Sequence, residues 1–307
     1  MTAIAAAAPY ALVFKTHAWD PFIARQLARY VARVGAGHVV VVVDETNGAV
    51  GDIPHPHVIR TTAAELLGLG LAGAYPKGGL IWWNTDYPNI LAFLRLPAHP
   101  HYVFVEYDSC ITMDIDVLVA RVAEEGSDFV ALPTRQDQAS WYWTKPHERT
   151  YPLAEMGRSL NCICILSHRG MALLAERRRA MTIEHEAGRV PFWPGNEVFC
   201  ATEILRAGYR FTSLERFGDA SRYEWHPPIL EADLTTTTGD FLHPVLDQAR
   251  YIASVLKFEF DLSSYFDRRS PLRRTLSRFP AAAYVPRMPG AFRRQLMVKV
   301  RQALGAI

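Results

Sequence analysis

The run His38-Val39-Val40-Val41-Val42-Val43 constrains the fold more than any other part of the chain. An unbroken β-branched stretch reads as a strand buried on both faces, the condition of a parallel sheet covered by helices. A helix signal stands before it. Asp20-Pro21 supplies an N-cap and a first-turn proline, and Phe22, Ile23, Leu27, Tyr30, Val31 and Val34 recur at helical spacing until Gly35 and Gly37. Ahead of that helix, Ala11 to Phe14 reads as a first strand leading into Lys15-Thr16-His17. Strand, helix, strand in this order is a βαβ opening and implies a parallel sheet. The alternation continues with a short strand at Val58-Ile59, a helix from Ala63 to Leu71, a strand from Gly79 to Trp83 and a helix from Asp86 to Leu94. A strand at Tyr102 to Val105, a helix at Ile115 to Glu124 and a strand at Phe129 to Leu132 follow. The second half is more mixed. It offers a strand at Cys162 to Leu166, a helix through Ala180, a loop at Pro191 to Pro194, a helix from Glu197 to Ala207 stopped by Gly208, and a strand at Tyr209 to Leu214. The expected class is α/β, a central mostly parallel sheet flanked by helices.

A length of 307 residues suits one large domain or two small ones. The charge is unevenly spread. Residues 268–307 carry ten Lys or Arg and no Asp or Glu, which leaves 23 basic and 31 acidic residues in 1–267, a net of −8. The expected organisation is therefore an acidic domain over 1–267, with the alternating half to about 133 and the mixed half from 134, followed by a basic helical tail over 268–307. In the tail, Phe292, Leu296, Val300 and Leu304 fall at helical spacing among Arg293, Arg294, Lys299 and Arg301. Three outcomes are open for it: docking on an anionic membrane surface, packing on the acidic body, or a solvated segment. No nucleic-acid-binding motif accompanies the charge, so no nucleic acid partner is expected. Cys110, Cys162, Cys164 and Cys200 form no C-x-x-C pair and read as free thiols of a reducing compartment. The alanine-rich start lacks a basic region and does not read as a signal peptide. No apolar run is long enough to cross a membrane. The expected location is the cytoplasm, at the inner face of the cell membrane if the tail docks there.

The sharpest chemical feature is Glu106-Tyr107-Asp108, at the end of the Tyr102 to Val105 strand. Two carboxylates at i and i+2 point the same way if the strand continues. Placed so close they repel, and a divalent cation relieves that repulsion; hard oxygen ligands suit Mg²⁺ or Mn²⁺. The carboxyl end of a parallel strand is where α/β folds bind ligands. An acidic loop after a strand is the bland alternative.

The surrounding sequence resembles the GT-A glycosyltransferases, which use nucleotide-diphosphate sugars, in a bacterial form. Trp83-Asn84-Thr85-Asp86-Tyr87-Pro88-Asn89-Ile90-Leu91 stands ahead of the strand and its acidic end as a short helix does in that family. Gly195-Asn196-Glu197-Val198-Phe199, running to Gly208-Tyr209, is similar to the family's acidic x-E-D element, and Phe241-Leu242-His243-Pro244-Val245 to its late metal-binding histidine. The resemblance covers roughly residues 10–247. It departs from the family in having Glu106 at the first metal position and Glu197 at the second acidic place. It implies a single GT-A-like (Rossmann-like) domain that moves a sugar from a nucleotide-diphosphate sugar donor to a saccharide or lipid-linked acceptor, with Mn²⁺ or Mg²⁺. Glu106, Asp108 and His243 are the implied metal ligands. Lys15, Thr16, Asp44, Asp86 and Asn89 are the implied nucleotide contacts, and Glu197 is the general base of an inverting transfer. Two rivals remain: a non-catalytic nucleotide-sugar or glycan binder on the same fold, and a sugar-phosphate nucleotidyltransferase. The second normally opens with a Gly-rich basic loop, which Lys15-Thr16-His17 is not. Trp141 and Trp143 read as core residues, and Trp193 and Trp225 as loop aromatics able to stack on sugars. Gly68-Leu69-Gly70-Leu71-Ala72-Gly73 follows a helix rather than a strand and is not a dinucleotide motif.

Overall fold

The structure, a computed structural model, describes residues 9–74, 78–134, 141 and 143–303. The alanine-rich start, Tyr142 and Leu304 lie outside the described residues. The chain divides into two compact units, Met1–Arg222 with Gly239–Phe241, and Tyr223–Thr238 with Leu242–Ile307.

The first unit begins with strand β1 (Tyr10–Thr16), helix α1 (Pro21–Val34) and strand β2 (Val39–Asp44). Asp20 caps α1 as its sequence implies, accepting from the backbone N–H groups of Phe22 and Ile23 at 2.9 and 3.1 Å. Val39 to Val43 are all no more than 1% exposed; withdrawing each valine from water contributes roughly 1.5–3 kcal/mol. Strand β3 (Val58–Thr61), helix α2 (Ala63–Gly68), helix α3 (Leu80–Trp83), helix α4 (Asp86–Arg95) and strand β4 (His101–Glu106) follow. After a two-residue strand β5 (Cys110–Ile111) come helix α5 (Ile115–Glu125), strand β6 (Phe129–Pro133), helix α6 (Thr144–Glu148), strand β7 (Ser159–Ser167), helix α7 (His168–Glu186), helix α8 (Asn196–Arg206) and strand β8 (Phe211–Ser213).

The central sheet has seven strands in the order β3-β2-β1-β4-β7-β6-β8. Only β7 runs against its neighbours, pairing antiparallel with β4 and β6, while β1–β2, β1–β4, β2–β3 and β6–β8 are parallel. The carboxyl ends of β1, β2, β4 and β6 therefore share one edge with the start of β7. The main departure from the sequence reading is Leu80 to Trp83, expected as a strand and found as a helical turn. Trp83 N–H bonds the Gly79 carbonyl at 2.6 Å, and Asn84 N–H bonds that of Leu80 at 2.8 Å. A four-residue apolar run satisfies either period, and the sheet positions flanking β1 are already taken by β2 and β4. Helix α7 also runs on to Glu186, six residues past the expected end at Ala180.

Strand β9 (Arg222–Tyr223) leads into the second unit, which holds strand β10 (Ile229–Leu230), strand β11 (Phe241–His243) from Leu242 onward, strand β12 (Val245–Leu246) and helices α9 (Gln248–Lys257), α10 (Pro271–Leu276), α11 (Ala281–Tyr284) and α12 (Met288–Ala303). The basic segment from Arg268 belongs to this unit. Leu272, Leu276, Tyr284 and Ala291 from α10, α11 and α12 share one apolar cluster with Ile252, Leu256 and Tyr265. Part of its charge is used locally: Arg278 pairs with Asp233 at 2.7 Å, and Arg287 donates to the Ala249 carbonyl at 2.8 Å. Of the expected apolar stripe, Phe292 packs against Phe266 at 5.1 Å, whereas Leu296 and Val300 are 40% and 41% exposed.

The first unit holds a fully enclosed charge. Arg178 on α7 is 0% exposed, and its Nε donates to Asp86 Oδ2 at 2.6 Å, its Nη2 to Asp86 Oδ1 at 3.3 Å. Nη2 also donates to the Pro194 carbonyl at 3.1 Å, and the guanidinium lies 3.5 Å from the centre of the Phe199 ring. Burial opposes the charge, but the Asp86 carboxylate and its hydrogen bonds outweigh it and hold the Arg178 proton more firmly than usual. Removing one partner of such a pair strands the other charge in the core. Arg178→Met is expected to lower the unfolding free energy by about 3–5 kcal/mol in urea denaturation, with Arg178→Met/Asp86→Leu recovering part of the loss. A single-variant loss under about 1 kcal/mol would show that the pair does not organise this core.

Candidate active site

The parallel strands deliver Lys15 and Thr16, Asp44 and Glu106 to one edge, with Lys15 paired in register with Glu106. Strand β4 ends at Glu106. The chain then turns, with Ser109 N–H bonded to the Glu106 carbonyl at 2.9 Å and Tyr107 N–H to that of Lys15 at 3.0 Å. Asp108 thus reaches the cleft from a turn and not from a continued strand. Asp44, Glu106 and Asp108 all line a cleft of about 590 Å³, together with His17, Asn47 and Trp82. Next to Glu106, the antiparallel register of β7 brings in Cys162, whose thiol proton is held well above its usual range by burial and by Glu106, Asp108 and Glu197.

The other expected nucleotide contacts lie deeper. Lys15 is 0% exposed; its Nζ donates to Thr85 Oγ1 at 2.7 Å and stands 3.5 Å from Glu106 Oε1. Thr16 donates its hydroxyl to the Ala18 carbonyl at 2.7 Å. Asp86 is committed to Arg178, and Asn89 is 3% exposed with no hydrogen-bond partner for its amide oxygen among the described residues. Asp44 accepts from the backbone and hydroxyl of Thr46 at 2.9 and 2.6 Å.

Glu197 sits in the first turn of α8 and lines a smaller pocket of about 40 Å³ with Trp82, Trp83, Trp141, Trp143, His147 and Asn196. Three consecutive residues before it are fastened. Pro194 receives Arg178, Gly195 N–H donates to His147 Nε2 at 3.2 Å, and the Asn196 amide donates to the carbonyls of Trp82 and Trp83 at 3.3 and 3.2 Å. Asn161 Nδ2 adds a bond to Asn196 Oδ1 at 2.9 Å. His147 is 1% exposed. With Nε2 accepting from Gly195, its proton resides on Nδ1, 2.7 Å from the Trp143 carbonyl. Burial, with Arg158 and Arg178 nearby, pushes its pKa down to about 4, so it holds this neutral tautomer.

Burial raises the Glu197 carboxyl to about 7, Arg158 pulling it down and Glu106 pushing it up. Arg158 is 5% exposed and lies 3.8 Å from the centre of the Trp141 ring. Its Nε and Nη1 meet no hydrogen-bond acceptor among the described residues. Trp82, Trp83, His147, Arg158, Cys162 and Arg178 were absent from the sequence-derived site. Of the aromatics expected to stack on sugars, Trp193 is 5% exposed and lies 5.2 Å from the Arg178 guanidinium, inside the core. Trp225 and His243 belong to the second unit, where His243 Nδ1 is 2.8 Å from the Glu224 carbonyl.

Fold and site together define an α/β protein with an acidic cleft, walled in part by tryptophan, at the carboxyl edge of its sheet. No family model matches the chain, and no curated protein matches it in sequence. Among solved structures it is similar to mouse xyloside xylosyltransferase 1 in its apo form, at 14% identity and a TM-score of 0.39, over 72% of this chain and 87% of that one. It is also similar to the galactosyltransferase LgtC in complex with donor and acceptor sugar analogues, at 8% identity and a TM-score of 0.41, over 73% of this chain and 77% of that one.

The raised Glu197 pKa has a signed consequence. Between the ordinary carboxyl range and pH about 7 the folded chain keeps a proton that the unfolded chain releases, so this group's contribution to stability is present at low pH and is lost as pH rises through 7. The NMR carboxyl signal that disappears in Glu197→Gln is expected to titrate near pH 7, and Arg158→Met to move that midpoint upward. A midpoint in the ordinary range of about 4–5 would contradict the burial assigned to it.

Proposed function

We propose that the chain is a metal-dependent glycosyltransferase of the GT-A type. The observation that carries the reading is the convergence of Asp44, Glu106 and Asp108 on one strand-end cleft, with Glu197 in a pocket that shares its Trp82 wall. A donor set of carboxylate oxygens fits Mn²⁺ or Mg²⁺. Glu106 and Asp108 are the proposed ligands. The resemblance adds His243, whose Nδ1 bond to the Glu224 carbonyl puts the lone pair on Nε2. When bound, the cation supplies Lewis acidity to the departing diphosphate. Asp44 is proposed to touch the nucleotide; Lys15, Thr16 and Asp86 act through the side chains and backbone they hold in place, and Asn89 is buried.

Glu197 is proposed to take the proton of the acceptor hydroxyl in an inverting transfer. Its pKa of about 7 matches a base working near neutrality. His147 and Arg178 orient it by fixing the turn from Pro194 to Asn196. The two reactive groups differ in what they need. The acidic cleft is wide and takes up a charged ligand, whereas the Glu197 pocket has room for only about three water-sized groups. A binding protein without turnover has no use for a base poised in this way. Calorimetry should show Mn²⁺-dependent binding of UDP or GDP that Asp108→Ala abolishes, while Glu197→Gln keeps that binding and loses at least about a hundredfold in turnover. Equal diphosphate binding by Asp108→Ala would remove the metal assignment, and near-normal turnover by Glu197→Gln the base.

A saccharide or lipid-linked acceptor is part of the same proposal, and so is docking of the second unit on an anionic membrane. Exposed Leu296, Met297, Val298 and Val300 stand among exposed Arg293, Arg294, Lys299 and Arg301, which supports it. Truncation at Asp267 would strip the apolar cluster from Ile252 and Leu256, so charge reversal is the cleaner probe. Arg293→Glu/Arg294→Glu/Lys299→Glu should co-sediment with phosphatidylserine vesicles at least about tenfold less than the parent chain at low salt. Equal pelleting of both would end the proposal.

A further inference from the structure

Trp82 is the one tryptophan on the wide cleft, and it is also on the rim of the Glu197 pocket. Trp82 is 64% exposed. The helical turn that corrects the expected strand makes this possible. Successive side chains in α3 diverge, so Trp83 turns inward at 9% exposure while Trp82 faces out. The exposed ring is braced: Trp83 lies 5.4 Å and Trp143 6.3 Å away, ring centre to ring centre. The backbone carbonyl of Trp82 is held by Asn196, the residue before Glu197.

We infer that Trp82 is a stacking platform for a pyranose ring, set between the Glu106 and Asp108 carboxylates and Glu197; this rests on the glycosyltransferase reading above. A pyranose has an apolar C–H face and an equatorial rim of hydroxyls. The site offers a partner for each: a flat indole, and lining the same two pockets the carboxylates of Asp44, Glu106, Asp108 and Glu197 with the amide of Asn47. The size of the inner pocket fixes where the ring lies. About 40 Å³ holds roughly three water-sized groups and not a ring, so a hydroxyl enters toward Glu197 while the ring stays outside, on Trp82. A nucleobase could also stack on an indole. The ligand on Trp82, however, sits between the proposed metal carboxylates and the proposed base, the place of the reacting sugar.

The test is calorimetry on the full chain and on Trp82→Ala and Trp82→Phe. The probes, each with Mn²⁺, are UDP and GDP alone, UDP- and GDP-hexoses, and methyl glycosides of common hexoses. Trp82→Ala should weaken sugar-bearing probes by about tenfold and leave UDP and GDP within about twofold, with Trp82→Phe retaining most of the affinity. A loss seen with nucleotide sugars assigns the ring to the donor, and one seen with methyl glycosides to the acceptor. The inference is overturned if Trp82→Ala binds every sugar-bearing probe as the parent does, if it loses UDP or GDP alone to the same degree, or if the parent binds no sugar-bearing probe through its sugar. Absence of any metal-dependent UDP or GDP binding is a separate result. It counts against the glycosyltransferase reading, while the methyl glycosides still report on Trp82.

Discussion

The ion pair between Arg178 and Asp86 is the constraint on which the candidate site depends. A guanidinium at 0% exposure is tolerable only because a carboxylate, a carbonyl and an aromatic face surround it. Those partners come from α4, the loop at Pro194 and α8, so satisfying one charge fixes three segments against α7. Asp86 opens α4 just after Trp83, and Pro194 stands three residues before Glu197. The same interaction therefore sets the aromatic wall and the carboxylate relative to each other. His147 finishes the job as a neutral imidazole, accepting from Gly195 and donating to Trp143. A charged His147 could not accept from Gly195, and its suppressed basicity keeps that hydrogen bond in place at any physiological pH.

Acidity is concentrated against this frame. Cys162 and Glu197 both feel Glu106, and Cys162 also feels Asp108. Lys15, buried beneath, is shared between Thr85 and Glu106 and answers only part of that charge. Groups that repel one another in a partly desolvated cleft lower stability unless a cation or a positively charged ligand arrives. Such local cost is ordinary at sites whose purpose is to bind. The raised Glu197 pKa owes most to its own burial and less to the push of Glu106 from this acidic cluster.

The parts of this arrangement legible in the sequence are those with local signatures. Runs such as Val39 to Val43 announce buried strands, Asp20-Pro21 announces a helix start, and Glu106, Asp108 and Glu197 stand at element boundaries where ligand-binding residues gather. The four-residue run at Leu80 to Trp83 was too short for its period to decide, and it became a helix. Trp193 lies in a loop by sequence yet is buried, 5.2 Å from the Arg178 guanidinium. Arg178 and Asp86 are 92 residues apart, and His147 and Gly195 are 48 apart. Neither pairing leaves a mark in local spacing. A basic residue in an otherwise ordinary helix such as α7 looks like a solvated one until the fold closes over it.

On the proposed function, the two pockets divide the labour that a transfer reaction demands. The wide cleft lined by Asp44, Glu106 and Asp108 is the proposed seat of a large charged ligand. A small, largely apolar pocket keeps one carboxylate poorly hydrated, and so basic enough to accept a proton near neutrality. If the carboxylate stood in the wide cleft, water would restore its ordinary pKa. Trp82 separates the two environments while belonging to both. Its position follows from a single helical turn, and that turn is held through the Asn196 bonds to the carbonyls of Trp82 and Trp83. The contrast in hydration between cleft and pocket therefore rests on the same fastened residues that place Glu197, and a change that loosened the Pro194 to Asn196 turn would blur both at once.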